Sequence, residues 1–195
     1  MKFTKRIFLI LIACAITTNI CAIQFRHLSI KDGLSQLSVL SIYQDKLGRM
    51  WFGTEEGINV FDGNNLTAIK NFRNIPPRNL EVRWICGDEK GNIYFQLGTS
   101  IVCIDFATQS NTVLVKKGVT TLCHHSGKIY YASRGSVYIY NIAKQSTHCM
   151  GQLTKDNIKV LHIDSRGTLW FGTHNGLFYF NKKTRRTTLS IKGAY

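Results

Sequence analysis

Apolar and β-branched residues alternate with polar ones in four stretches along the chain: SVLSIYQD from Ser38, EVRWICGD from Glu81, VTTLCHH from Val119 and IKVLHID from Ile158. Each stretch leads through a turn into an aromatic segment, then past a Gly or Ser into a further apolar run, INVF, IVCI, VYIY or LFYF. Short alternating runs bounded by turn formers predict β-strands and argue against helices. The tails LTAIKNF, NTVLVKK and TTLSIK supply a fourth strand to their units.

The units are copies of one pattern. Gly48, Gly91, Gly127 and Gly167 open the segments GRMWFGTEEGINVFD, GNIYFQLGTSIVCID, GKIYYASRGSVYIYN and GTLWFGTHNGLFYFN, and each closes on Asp62, Asp105, Asn141 or Asn181 fourteen residues later. Three residues after the Gly stands Trp51, Tyr94, Tyr130 or Trp170, always followed by another aromatic. The glycines are spaced by 43, 36 and 40 residues, which suits a four-stranded propeller blade. The expected fold class is all-β, a β-propeller of about four four-stranded blades that is incomplete and open. The expected divisions are a closing strand within 23–33, then blades at 34–75, 76–117, 118–152 and 153–195. Gln24 to Ile30 reads as the closing strand of the final blade. Because the fourth repeat already owns an outer strand, the chain reads as an open arc with exposed faces on its first and fourth blades, further blades or another sensor chain being the expected neighbours.

Within the repeat, Asp45, Asp88 and Asp164 sit three residues before their Gly, where a carboxylate can bond the turn backbone and Gly can take a positive φ. These residues read as turn devices. Gly53, Gly57, Gly172 and Gly176 recur at fixed places in the first and fourth units, and Trp51 and Trp170 read as packing between blade faces.

The start of the chain is an address. Lys2, Lys5 and Arg6 precede the apolar run IFLILIACAI, and a polar stretch leads to Ala22: the three parts of a secretory signal peptide over residues 1–22, cut after Ala22. The run is about half the length of a spanning helix, which disfavours a membrane anchor, and Ile20 before Cys21 disfavours lipoprotein processing. No later segment is apolar enough to span. Export to the periplasm leaves 173 residues with 22 basic and 11 acidic groups, a net charge of +11. It also permits disulfides among Cys86, Cys103, Cys123 and Cys149, with three pairings possible in principle. Cys86 and Cys123 fall at equivalent first-strand positions, and packed sheets lie about 10 Å apart, so the thiols are expected unpaired and buried.

GLSQLSVLSIYQDKLGRMWFGTEEGINVFDG from Gly33 to Gly63, and DSRGTLWFGTHNGLFYF from Asp164 to Phe180, resemble two-component regulator propeller repeats. HLSIKDGLS after the leader resembles the start of periplasmic sensor halves of hybrid two-component histidine kinases, of which this chain looks like a fragment. Repeats two and three depart from that motif, with Gln96 and Leu97 or Ala132 and Ser133 in place of Gly and Thr, and His125 where Asp is expected on a turn one residue shorter. The resemblance implies a sensor whose full-length relatives join two propellers, a β-sandwich, a membrane span and signalling modules, with polysaccharide fragments as ligands. It carries no ligand-binding residue onto a position here.

Candidate chemistry is otherwise sparse. The sequence shows no nucleophile elbow, no Walker loop, no locally paired carboxylates and no CxxC, so neither an enzyme nor a cofactor or metal is expected. His124 and His125 read as surface residues of a turn, and Lys182, Lys183, Arg185 and Arg186 as a solvated turn with no nucleic-acid role. The function expected is non-catalytic sensing of oligosaccharides, with an acidic glycan the first ligand to test because of the positive charge. Alternatives are an exported propeller hydrolase or lyase, and a truncated gene product without a function of its own.

Overall fold

Among the described residues, turn acids and alternating strands are realised as sixteen strands in four antiparallel sheets, each sheet keeping its strands in chain order. The computed structural model describes residues 25–72, 80–105 and 107–192; the leader, the cleavage site at Ala22 and the start of the expected closing strand lie outside them. The first blade comprises β1 (Val39–Gln44), β2 (Met50–Thr54), β3 (Gly57–Phe61) and β4 (Leu66–Ile69). The second comprises β5 (Ile85–Gly87), β6 (Ile93–Leu97), β7 (Ser100–Ile104) and β8 (Asn111–Val115). The third comprises β9 (Thr121–His125), β10 (Lys128–Ser133), β11 (Ser136–Asn141) and β12 (Ser146–Gln152), and the fourth β13 (Val160–Ile163), β14 (Leu169–Thr173), β15 (Gly176–Asn181) and β16 (Arg186–Lys192).

Side-chain bonds close each turn. Asp45 Oδ1 accepts the N–H groups of Leu47 and Arg49, both at 3.0 Å, while Oδ2 accepts Trp51 Nε1 at 2.9 Å and Arg49 Nε at 2.7 Å. Asp88 repeats the arrangement with Lys90, Asn92 and the Tyr94 hydroxyl, and Asp164 with Arg166, Thr168 and Trp170 Nε1. One carboxylate thus fixes the turn and the tip of the aromatic six residues on. In the third blade Ser126 and Gly127 take φ of 49° and 68°, the signature of a two-residue turn with both central residues left-handed, so no acid is needed and His125 ends β9. The closing residues Asp62, Asp105, Asn141 and Asn181 accept backbone N–H groups in the same way at the next hairpin.

Cross-strand partners share a face, so Trp51 stands with Tyr43 and Val60, and Trp170 with His162 and Tyr179. This face of each of the first three blades packs on the following blade. Trp51 and Ile58 meet Val82, Ile93, Phe95 and Val102; Tyr94 and Ile101 meet Val119, Leu122, Ile129 and Tyr131; Tyr130, Ala132 and Val137 meet Ile158, Leu161, Leu169 and Phe171. Val82, Val119 and Ile158 hold equivalent places, six residues before Asp88, His125 and Asp164, and are 0%, 1% and 0% exposed. The carbonyl of each accepts a bond from the preceding blade: from Ser41 Oγ at 3.2 Å, Gln96 Nε2 at 3.1 Å and Thr120 Oγ1 at 2.8 Å. An aliphatic side chain and its own carbonyl therefore key each blade into its predecessor.

The segment expected to complete the final blade does something else. Residues 25–28 form no strand, and Ile30–Asp32 is a 3₁₀ turn held by Ser29 and Asp32, whose side chain accepts the Ser29 N–H at 2.8 Å and its hydroxyl at 2.7 Å. The chain then lies on the first blade. Asn59, fully buried where other blades carry Val102, Tyr138 or Phe178, donates to Gly33 O at 3.1 Å and accepts Ser35 Oγ at 2.6 Å. Leu34 is buried and Arg26 lies over the Phe61 ring. The first blade's outward face, expected bare, is partly covered by the protein's own N-terminal residues because a polar Asn, and not an apolar side chain, waits there for hydrogen bonds. The fourth blade's outward face is the opposite face of its sheet, the one that carries Trp170, and it forms an open apolar hollow lined by Val160, His162, Trp170, Phe171, Gly172 and Leu177. Trp170, read as core, is accordingly half-buried, while Trp51 is 2% exposed.

This asymmetry separates two glycines of one motif. A Cβ on Gly53 would collide with Ser41 Oγ and Val82 O and approach Val82 Cγ1 at 2.7 Å, whereas on Gly172 it would meet only Val160 Cγ1, at 2.6 Å, on the open face. Gly53→Ala is expected to cost about 1–3 kcal/mol, and Gly172→Ala clearly less because the valine methyl can turn away. Urea denaturation of both variants checks this; equal losses would contradict it.

The turn acids also set a pH dependence. Burial pushes the Asp45 and Asp88 carboxyls up, but the bonds from Trp51 and Arg49, and from Asn92 and Tyr94, outweigh it and hold both below the ordinary value. The Thr168 N–H and Trp170 lower Asp164 likewise. Folded values below unfolded ones mean stability that is fully present above about pH 4 and lost as pH falls through the folded values. The urea midpoint should drop on acidification in this range, and Asp45→Asn, Asp88→Asn and Asp164→Asn combined should flatten the profile; parallel profiles for the two proteins would refute the assignment.

Candidate functional site

The first strands of the blades, β1, β5, β9 and β13, lie side by side along the inner wall, each in contact with the next. Their starts enclose a cleft of ≈ 710 Å³. Leu40, Ile42, Ile85 and Ile158 make its floor apolar, Trp84 stands half-buried among them, and Arg83, Lys159 and Asn157 are exposed around it. Ser41 and Thr120 complete the lining, both donating their hydroxyl protons to the keyed carbonyls of Val82 and Ile158. Each hydroxyl oxygen keeps acceptor capacity toward the cleft. An apolar floor with an indole and a few convergent polar groups is the common composition of a small-molecule site.

Position explains why Trp84 stands there. It lies four residues before Asp88, where the other blades carry Ser41, Thr121 and Val160, so the second blade alone places a large aromatic at this level of the inner wall. The indole packs against the core shared by the second and third blades, which fixes its plane. Arg83, beside it in sequence, ion-pairs with Glu81 at 2.5 Å. Among the described residues no hydrogen bond or ion pair engages the Lys159 ammonium; its backbone N–H donates to Gly172 O at 2.8 Å.

None of the residues singled out by the repeat pattern lines this cleft. Asp45, Gly48, Asp88, Gly91, Asp164 and Gly167 occupy turns, with Gly48, Gly91 and Gly167 at φ of 80°, 89° and 75°. Trp51, Tyr94 and Tyr130 are spent on cores and tethers, and Gly57 and Gly176 open third strands at φ of 115° and 135°. The four cysteines among the described residues are free thiols; Cys86, Cys103 and Cys123 are half-buried in the second and third blades, and Cys149, expected buried, is exposed on the edge strand β12. Burial pushes the Cys103 and Cys123 thiols up to about 12 and Cys86 further in the same direction, so these three are inert at neutral pH. His124 is not a surface residue: its side chain is 9% exposed, Nε2 faces Glu89 at 3.7 Å, and burial lowers its pKa. Lys182, Lys183 and Arg185 lie exposed on the turn between β15 and β16, as expected of a solvated turn, and Arg186, also exposed, opens β16. Among the described residues no cluster of His, Cys, Asp and Glu suits a metal ion, and no helix is long and apolar enough to cross a membrane.

Residues 33–56 and 152–175 match the family model described as two component regulator propeller. A stretch of 47 residues, 24% of the chain, is 47% identical to Histidine kinase P4 of Formosa agariphila, of which it spans 3%. The fold superposes on the extracellular domain of a proposed hybrid two component system from B. thetaiotaomicron with a TM-score of 0.66 and 15% identity, over 81% of this chain and 22% of that one. It superposes equally on a catalytically inactive virginiamycin B lyase from Staphylococcus aureus, with a TM-score of 0.64 and 13% identity, over 83% of this chain and 59% of the lyase. At these identities the superpositions establish the fold. The chain is a β-propeller array in which two segments, one at the first blade and one leading into the fourth, match the two component regulator propeller model.

Proposed function

We propose that the chain is a non-catalytic, extracytoplasmic sensing segment of a hybrid two-component receptor, and that it takes an oligosaccharide on the inner-wall cleft. The observation that carries this reading is Trp84, an indole half-buried on an apolar floor between Ser41, Thr120 and Asn157. A sugar ring presents an apolar C–H face and an equatorial ring of hydroxyls, so it stacks on an aromatic plane while its hydroxyls bond polar neighbours. The kinase among its relatives and the extracellular domain among its structural neighbours support the sensing role. The leader read over residues 1–22 supports a periplasmic location, and the open face of the fourth blade supports further propeller blades or another sensor chain as partner.

A lyase reading has the virginiamycin B lyase fold in its favour. Against it, the cleft lining contains no carboxylate, imidazole or thiol, the groups that move protons in elimination and hydrolysis. The two readings divide on one experiment. A panel of neutral and anionic oligosaccharides is titrated against the protein by thermal shift, with product analysis by chromatography in parallel. At least one glycan should raise the melting temperature, lose that effect in Trp84→Ala, and be recovered intact. No shift with any glycan, or an undiminished shift in the variant, would defeat the proposal; cleavage would favour the lyase.

A further inference from the structure

Resting on the oligosaccharide reading, we infer that the cleft selects glycans bearing an anionic group, a uronate or sulfate, and that Glu81 acts as a built-in competitor for that group. Ten residues line the cleft; two of them, Arg83 and Lys159, are cationic and none is anionic. The two come from different blades, Arg83 just before β5 and Lys159 just before β13, so the charge belongs to the assembled inner wall and not to a local basic run. It is distinct in this from Lys182, Lys183, Arg185 and Arg186, which belong to one hairpin.

The two cations are engaged differently. The Lys159 ammonium has no bonded partner among the described residues, while Arg83 Nη2 is held by Glu81 Oε1 with 58% of the arginine side chain exposed. Solvent reaches the arginine end of this pair and screens it, so a ligand carboxylate or sulfate can displace the half-buried Glu81 and take the planar, two-pronged donor face of the guanidinium. Such a ligand bridges Arg83 and Lys159 with its anionic group while a sugar ring rests on Trp84. Charge-assisted bonds at an open cleft are screened by salt, so binding weakens as ionic strength rises.

Isothermal titration of the whole chain tests this with two probes, trigalacturonate and the neutral galactotriose, at about 50 and 300 mM NaCl, spanning Debye lengths of roughly 14 to 6 Å. Trigalacturonate should bind at least about tenfold tighter than galactotriose at the lower salt, and lose most of that advantage at the higher. Arg83→Gln and Lys159→Gln should each weaken trigalacturonate by about tenfold and leave any galactotriose binding unchanged. Glu81→Gln should strengthen trigalacturonate several-fold, a gain that no merely structural role of Glu81 would produce. Unchanged melting temperatures of the three variants without ligand confirm that they fold. Equal binding of the two probes, indifference to Arg83→Gln and Lys159→Gln, or weaker binding in Glu81→Gln would overturn the inference. If trigalacturonate fails while a neutral glycan still binds through Trp84, the charge selection falls and the oligosaccharide reading stands; if no glycan binds, both fall.

Discussion

Each turn acid holds two groups at once. One oxygen of Asp45 receives the turn's backbone N–H groups, and the other receives the ring nitrogen of Trp51, so the hairpin between the first and second strands and the position of the indole are set by one carboxylate. The indole cannot slide along its strand without breaking the turn, and the turn cannot open without stranding a buried N–H. Asp88 with Tyr94 and Asp164 with Trp170 impose the same constraint. With the aromatic fixed, its face is fixed, and with it the surface on which the next blade's Val82, Val119 or Ile158 is keyed. The third blade shows what the acid is for: where the turn shortens to Ser126 and Gly127, two left-handed residues do the turn's work and Tyr130 is placed by packing alone.

Regular keying is what builds the inner wall. Because each blade enters its predecessor at the same level, the starts of β1, β5, β9 and β13 arrive together, and residues as far apart in sequence as Leu40 and Lys159 line one cleft. The repeat thus supplies a scaffold, and departures from the repeat supply the chemistry. Trp84 replaces the small or β-branched residue of the other blades, and Arg83 and Lys159 bring charge to a wall that the repeat pattern leaves unspecified. The two ends of the array depart as well, with Asn59 sealed under Gly33 and Ser35 at one end and Gly172 in an open hollow at the other.

What was legible in the amino-acid order follows from how local each interaction is. The turn acids, the left-handed glycines and the aromatic positions act within about six residues, and each leaves a fixed spacing that repetition makes unmistakable. The outer strand of the third blade, Ser146–Gln152, left no such trace, because STHCMGQ is an exposed edge held by backbone bonds to β11 with little apolar side to show. QFRHLSI alternates like a strand, yet its neighbours Gly33 and Ser35 are claimed by Asn59, 24 or more residues away, a contact that period-two reasoning does not contain. The cleft was illegible for the same reason: its residues share no motif and meet only once four blades have stacked.

Blade stacking depends on the carboxylate coupling turn to ring, and a double-mutant cycle on Asp45→Ala and Trp51→Phe measures that coupling directly. Stabilities of the parent, the two single variants and the double variant by urea denaturation should give an interaction energy of about 1–3 kcal/mol, because Asp45→Ala strands the buried indole N–H, a cost that disappears once Trp51 is Phe. Additivity within about 0.5 kcal/mol would show that the turn and the ring are held independently, and would contradict the account.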